Sequence, residues 1–350
     1  MPIADDKRAP AARQRLAGRS RAVTLREVAA VAQVSEITVS RILRNHASVA
    51  DATRERVMAA VREVGYVPNR LAGGLASSGS RLVAVIVPSL TNVVFPEVLE
   101  GIRAGLAGTG FEAVIGVTDY DLQTEEALVA SLLGWKPEAL VIAGVEHTDA
   151  ARAMLESSGV RIAEVMEIDT QPIDLAVGLS HHKAGFDTGQ YLLGRGYRRF
   201  GYVGHDWTPD RRAKLRHDGL VAALTDAGIE LLDSCRVDGP SSTGAGRDML
   251  AKLLARRRDL DVVVFSNDDM ATGGVFHCLG AGIRPKQDLA LFGFNGLDIG
   301  QALPTPLSTI RSNRFEIGRT AIDRLLAQRE RPRTTQTIDT GFEIIAGATA

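Results

Sequence analysis

The chain has 350 residues, 45% hydrophobic and 24% charged, an ordinary globular composition with room for two or three domains and without the roughly 18-residue apolar run of a membrane span. Residues 1–22 hold Arg and Ala but no apolar centre, so they do not read as a secretory signal. Cys235 and Cys278 form no CxxC pair, so neither a metal knuckle nor a disulfide framework is expected, and the chain reads as reduced and cytoplasmic. The net charge of −1 hides a division: residues 1–80 hold 13 basic and 7 acidic side chains, and the remainder holds 28 and 35. A basic head on an acidic body points to a polyanionic partner for the head, although a solvated basic tail would give part of the same signal.

Residues 1–22 read as a basic tail. From Thr24 the sequence becomes helical and low in glycine. Thr24 suits an N-cap, with Glu27 three residues later closing a capping box. Leu25, Val28, Ala29 and Ala32 then recur at helical spacing, and Val34 falls in a tight turn. Ser35 suits the cap of a second helix, EITVSRILRN, with Ile42 and Leu43 facing inward. A third helix is expected from Asp51 to Val64, with Val57, Ala60, Val61 and Val64 on one face and Gly65 as its stop. Two short helices joined by a few residues form a helix-turn-helix, whose second helix enters the major groove N-terminal end first. Any three-helix packing unit would share this spacing, so the residue types matter.

Glu36, Ile37, Thr38, Ser40, Arg41 and Arg44 are the outward positions of that second helix. Arg41 suits a bidentate pair to guanine. Glu36 suits a cytosine amino group and Ile37 a thymine methyl. Ser35, Ser40, Asn45 and Arg54 suit phosphate positioning. Next comes YVPNRLAGGLASSGS, residues 66–80, whose proline, glycine pair and Ser/Gly cluster read as a linker.

Beyond Arg81, continuous apolar runs alternate with amphipathic stretches: LVAVIVP, EAVIGV, EALVIAGV, VRIAEVM, LAVGLS, RFGYVG, DVVVFSN and LALFGF. Unbroken β-branched runs are how strands buried on both faces of a parallel sheet read. About eight such units exceed one compact sheet. The expectation is an α/β core of two subdomains with a cleft, lined by residues just after the runs. Those positions hold Ser89, Asn92, Phe95, His147, Asn267, Asp268 and Asn295. Arg216 lies in a helical stretch, and Arg311 and Arg314 follow LSTI. Planar polar groups with an aromatic wall suit a carbohydrate ligand. No GxGxxG, GxxxxGK[ST], HExxH or GxSxG motif is found, which argues against an enzyme and against a cofactor. The adjacent pairs His181–His182 and Asp268–Asp269 read as solvated loop residues.

The string TLREVAAVAQVSEITVSRILRN, followed by GYVPNRLA, resembles the headpiece of the LacI/GalR family of transcription regulators, and the likeness runs to the C-terminus. The fold this implies is an all-α helix-turn-helix headpiece and a periplasmic-binding-protein-like α/β core of two doubly wound parallel-sheet subdomains. The implied boundaries are residues 1–22 for the tail, 23–68 for the headpiece, 69–80 for the hinge helix and linker, and 81–350 for the core. Within the core, one subdomain takes 81–179 with 312–338 and the other 180–311 with 339–350. The resemblance adds Thr24, Tyr66, Asn69 and Arg70 to the DNA-contacting set. It also places Leu75 as a wedge into the central minor-groove step, with Ala72 facing the groove. Gly73 and Gly74 would weaken such a hinge helix until DNA orders it.

In this family, positions matching Arg216, Asn267 and Asn295 line the effector pocket. Two departures stand out: Asn295 and Met166 replace carboxylates common in the family. With Arg314 nearby, they suggest an acidic effector. SLTNVVFPEVLEGI, NDDMATG and DTGFEI most resemble the gluconate-operon repressors, which makes gluconate or a related sugar acid the expected effector. The family reading implies a homodimer on palindromic double-stranded operator DNA, released by its effector. The alternatives are a regulator using its effector as co-repressor and a transport-type solute-binding protein, the latter opposed by the headpiece. The heptads that tetramerise some relatives are absent after FEIIAGATA, so a dimer is expected.

Overall fold

A computed structural model describes residues 23–43, 49–67, 80–208 and 210–350. It divides into a unit up to Ser78 and a unit from Gly79 onward. The expected hinge residues Asn69, Arg70, Ala72 and Leu75, together with Arg44 and Asn45, lie outside the described residues.

The first unit holds three helices: α1 (Leu25–Ala32), α2 (Glu36–Leu43) and α3 (Asp51–Val64). The capping box forms as the sequence predicts. The Thr24 hydroxyl accepts from the Glu27 amide, and the Thr24 amide donates to the Glu27 carboxylate. Gln33 takes a left-handed conformation that ends α1, and Gly65 does the same for α3. Ser35 Oγ accepts from the Thr38 amide at 3.2 Å, which caps α2. Val28, Val39, Ile42, Val57 and Ala60 form the small core, with Leu43, Val61 and Tyr66 packed against it.

The second unit contains two parallel sheets. The larger comprises β1 (Leu82–Val87), β2 (Glu112–Val117), β3 (Ala139–Ala143), β4 (Arg161–Glu167), β5 (Leu175–Leu179) and β11 (Gln336–Asp339), in the order β11-β5-β4-β3-β1-β2. The smaller comprises β6 (Phe200–Gly204), β7 (Leu231–Arg236), β8 (Val262–Phe265) and β9 (Ala290–Phe292), ordered β7-β6-β8-β9. An antiparallel pair, β10 (Thr309–Ser312) with β12 (Phe342–Ile345), completes the strands described. β1, β3, β4, β5, β6, β8 and β9 are buried almost throughout, as their apolar runs predict, although β4 buries Arg161, Glu164 and Glu167 as well. β2, at the edge of the larger sheet, is mostly exposed against the expectation of burial on both faces, and β7, LLDSCR at the edge of the smaller, is half-exposed. The polar residues of β7 read as a loop in the sequence, and the edge position explains why a strand tolerates them.

Helices cover both sheets: α4 (Val94–Leu106), α5 (Leu122–Gly134), α6 (Asp149–Ser157), α7 (His181–Gly194), α8 (Arg211–Asp226), α9 (Thr243–Arg256), α10 (Asp268–Ala281), the short α11 (Asp298–Gln301) and α12 (Arg314–Ala327). Three helix pairs meet through reciprocal glycines that allow backbone-to-backbone approach. A methyl on Gly101 would strike the Phe315 carbonyl, and one on Gly318 the Val98 carbonyl. Gly185 faces the Arg216 carbonyl and Gly219 the His182 carbonyl. Gly246 faces Met270, and Gly273 faces Thr243. α4 is thereby held on α12, α7 on α8, and α9 on α10.

Candidate functional site

Two surfaces carry the functional expectations, and each belongs to a separate unit. On α2 of the first unit, Val39 and Ile42 are buried, while Glu36, Ile37 and Arg41 point to solvent. Ile37 is 66% exposed, a placement hydrophobic packing does not explain. Thr38 and Ser40 are half-buried. The predicted base-reading positions therefore share one exposed face. Thr24 and Ser35 are engaged as caps, Arg54 is half-buried on α3, and Tyr66 packs on the headpiece core.

The second surface is a cavity of about 480 Å³, within the size range of small-ligand sites. Its wall comes from strand ends and helix starts: Ser89 and Asn92 after β1, Tyr120 after β2, Met166 in β4, His205 after β6, and Phe294 and Asn295 after β9. His181 opens α7, Arg212 and Arg216 lie on α8, and Asn267 and Asp269 stand at the start of α10. This is where parallel α/β sheets present ligand sites. Ser180, Asp210, Ser242 and Asn267 each accept an amide hydrogen bond and cap α7, α8, α9 and α10.

The hydrogen bonds fix most of this wall. Ser89 Oγ accepts from the amides of Thr91 and Asn92, both at 3.1 Å. Asn92 Nδ2 donates to the Tyr120 hydroxyl at 2.8 Å. His181 Nε2 lies 3.0 Å from the Met166 carbonyl and its Nδ1 lies 3.1 Å from Arg216 Nη1. Burial, with Arg216 beside it, holds this imidazole well below the ordinary histidine range. The neutral ring thus donates from Nε2 and accepts at Nδ1. Arg216 Nη2 donates to the Ser266 carbonyl at 3.0 Å, and its guanidinium stacks 4.1 Å from the Phe294 ring centre. Burial opposes ionisation of Asp210, yet the His205 hydrogen bond and the charges of Arg212 and Arg216 outweigh it and hold this carboxyl well below the usual range. Asn295 adopts a φ of 123°, a conformation costly for a residue with a Cβ and typical of functional positions.

Ser89, Asn92, Arg216, Asn267 and Asn295 are brought together here. Five other expected residues, Phe95, His147, Asp268, Arg311 and Arg314, are not. Phe95 is wholly buried and does not face the cavity. Its ring instead lies 5.7 Å from the Arg212 guanidinium, and Phe294 and Tyr120 supply the aromatic wall. His147 is enclosed between Glu125, 2.6 Å from Nδ1, and Glu164, 3.4 Å from Nε2. Arg314 is 3% exposed, pairs with Glu97 at 2.8 Å and donates to the Asn295 carbonyl. Its charge is neutralised, so it adds no free cation near Asn295. Arg311 pairs with Glu343 at the surface.

The reading of His181 and Asp268–Asp269 as solvated residues is also overturned. His181 is 2% exposed. Asp268 is fully buried and accepts from the Thr309 hydroxyl at 2.6 Å and the Leu297 amide at 2.7 Å. Burial pushes its carboxyl up to about 6. Asp269 lines the cavity, and burial raises its pKa. Tyr120, His205, Asp210 and Arg212 are cavity residues the sequence reading missed. His205 directly follows the RFGYVG run, so the strand-end rule reaches it. Arg212 lies one helical turn before Arg216 on α8. Among the described residues, no cluster suits a metal ion and no helix is long and apolar enough to cross a membrane.

Residues 24–69 match the family of bacterial regulatory proteins of the lacI type, and residues 80–342 match the periplasmic binding proteins and sugar binding domain of the LacI family. The chain belongs to the LacI family. It is accordingly a DNA-binding transcriptional regulator, with a helix-turn-helix headpiece and a periplasmic-binding-protein-like core. It is 40% identical to the HTH-type transcriptional regulator GntR of Pseudomonas aeruginosa over 92% of this chain and 94% of that one. It is similar to the crystal structure of a LacI-family transcriptional regulator from Silicibacter pomeroyi, with a TM-score of 0.89 and 44% identity over 93% of this chain and 99% of that one. A crystal structure of the lac repressor dimer bound to operator and the anti-inducer ONPF shares the fold, with a TM-score of 0.82 and 24% identity over 94% of this chain and 99% of that one.

Proposed function

We propose that this LacI-family regulator is a repressor that binds a palindromic operator as a homodimer and is released when a sugar acid, gluconate or a close relative, fills the cavity of its core. The observation that carries the sugar-acid reading is the pair Arg212 and Arg216, set one turn apart on α8 in the cavity wall. Each has a buried guanidinium nitrogen without a hydrogen-bond partner, Nη1 in Arg212 and Nε in Arg216. Such nitrogens favour an anionic ligand. Ser89, Asn92, Asn267 and Asp269 provide groups suited to hydroxyls. Asn295 and Met166, where carboxylates are common in the family, reduce repulsion against an anion. The resemblance of SLTNVVFPEVLEGI, NDDMATG and DTGFEI to gluconate-operon repressors supports the same choice.

On the DNA side, the exposed face of α2 supports base reading by Glu36, Ile37 and Arg41, with Thr24, Ser35, Thr38, Ser40, Asn45, Arg54, Tyr66, Asn69 and Arg70 positioning the headpiece on the backbone. Leu75 and Ala72 would act in the minor groove. Ligand and operator would then oppose one another through a coupling free energy of roughly 1–3 kcal/mol, equal in both directions. The protein would work in the cytoplasm, on the chromosome. The test is fluorescence anisotropy of a labelled palindrome from the gene's upstream region, titrated with protein and then with gluconate. Tight, salt-sensitive binding weakened by gluconate is the expected result. Binding that gluconate strengthens would make the effector a co-repressor, and binding it leaves unmoved would remove the sugar-acid assignment.

A further inference from the structure

The two cavity arginines differ in how much of their hydrogen-bonding capacity is already committed. Arg216 donates to His181 Nδ1 and to the Ser266 carbonyl, and its flat face covers Phe294. Only its Nε lacks a partner. It is held like a strut, with its orientation set by the protein. Arg212 has no comparable anchor. Its nearest acid is Asp210, whose Oδ1 lies 3.7 Å from Arg212 Nε, beyond hydrogen-bond reach. Asp210 is itself engaged by His205 Nε2 at 3.2 Å and by the Ala213 amide at 3.2 Å. Arg212 Nη1 is buried without a partner, and its side chain is only 14% exposed. The buried Phe95 ring backs the guanidinium and offers it no acceptor.

A buried guanidinium donor left unmade is costly, and a carboxylate, with two oxygens at the matching spacing, is the group that best satisfies an arginine fork. The cavity also holds an unmatched acceptor. Asp269 lines it and makes no hydrogen bond or ion pair with any described residue. A carboxylate ligand gains nothing from Asp269, whereas a hydroxyl does. Donor and acceptor together define a ligand with one charged end and a hydroxylated body.

We infer that Arg212 is the residue that selects for the carboxylate of the effector, while Arg216, Asn267 and Asp269 hold its hydroxylated part. This rests on the sugar-acid reading above and adds an orientation to it. Arg212 becomes the position that separates sugar acids from neutral polyols of the same length.

The experiment uses the full-length protein and isothermal titration with two probes, gluconate and the neutral polyol glucitol, on wild type, Arg212→Gln and Arg212→Lys. Thermal unfolding without ligand checks that each variant folds. Arg212→Gln is expected to weaken gluconate by about ten- to a hundredfold, the range for losing a hydrogen bond to a charged partner, with less than about a threefold change for glucitol. Arg212→Lys keeps the charge without the fork and is expected to recover part of the loss. A loss of gluconate affinity below about threefold in Arg212→Gln overturns the assignment, as does an equal loss for both probes. Wild type that fails to bind gluconate overturns the sugar-acid reading itself, a result distinct from either.

Discussion

The enclosure of His147 predicts a specific dependence of stability on pH. Burial works against its charged form. The hydrogen bond that its Nδ1 donates to Glu125 and the negative charges of Glu125 and Glu164 work in its favour and prevail, holding its pKa at about 9 against an ordinary 6.5. A histidine raised on folding stabilises the native state fully below its unfolded pKa, and that contribution is lost as pH climbs through the folded value. The full shift corresponds to about 3 kcal/mol at about 1.4 kcal/mol per unit. Roughly 2 kcal/mol of it disappears between about pH 7 and about pH 9.5. The assay is urea unfolding across that interval for wild type and His147→Gln, which keeps a hydrogen-bonding side chain without a titrating charge. The variant is expected to be less stable at pH 7 and to lack the alkaline decline specific to the wild type. Glu125→Gln, which removes the closer carboxylate, shifts the decline to lower pH and serves as a second check. Parallel loss of stability in wild type and both variants would refute the argument.

Further outcomes follow from other contacts. Arg41→Ala, on the exposed face of α2, is expected to cost about 1–3 kcal/mol of operator affinity and to relax preference at one base pair, read by anisotropy against a panel of point-substituted operators. Asp174→Ala removes the carboxylate that the Arg161 guanidinium bonds at 2.6 and 3.0 Å and leaves this 4% exposed cation only the neutral oxygens of Gln328. A loss of about 3–5 kcal/mol is expected in denaturant unfolding, as for other broken buried pairs. Gly219→Ala drives a methyl into the His182 backbone and is expected to cost about 1–3 kcal/mol, with an added weakening of effector binding because α8 carries Arg212 and Arg216. A variant as stable as wild type would show that the crossing is looser than described.

Most of the fold was legible in the sequence because buried strands leave apolar runs, and all eight such runs are strands, seven of them buried and the eighth, β2, an edge strand largely open to solvent. β7 was not, because an edge strand tolerates polar residues, and LLDSCR reads equally well as loop. β10, β11 and β12, which read TIRS, QTID and FEII, mix polar with apolar residues and leave no unbroken apolar run. The cavity was half legible. Position after a strand brought Ser89, Asn92, Asn267 and Asn295 to one wall, but it does not say which way a side chain turns. Phe95 turns into the core one residue into the first turn of α4. Arg314 turns to Glu97, a residue more than two hundred positions away in the chain. His147 finds two glutamates from α5 and β4. Long-range ion pairing of this kind has no local signature. Arg212 was within reach, since residues four apart share a helix face and Arg216 was already marked.

The glycine-mediated crossings restrict how the core can answer a ligand. Where backbone lies against backbone, helices cannot slide past one another without passing through a collision, so shear inside either layer pair is closed off. α4 with α12, α7 with α8, and α9 with α10 must each travel as one piece. What remains is rotation of whole blocks about the segments that pass from one sheet to the other, the hinge class of motion. A displacement of α8 at Arg212 then carries α7 with it, because the Gly185–Arg216 and Gly219–His182 crossings leave no room to slide, and the fold moves as levers rather than as sliding layers.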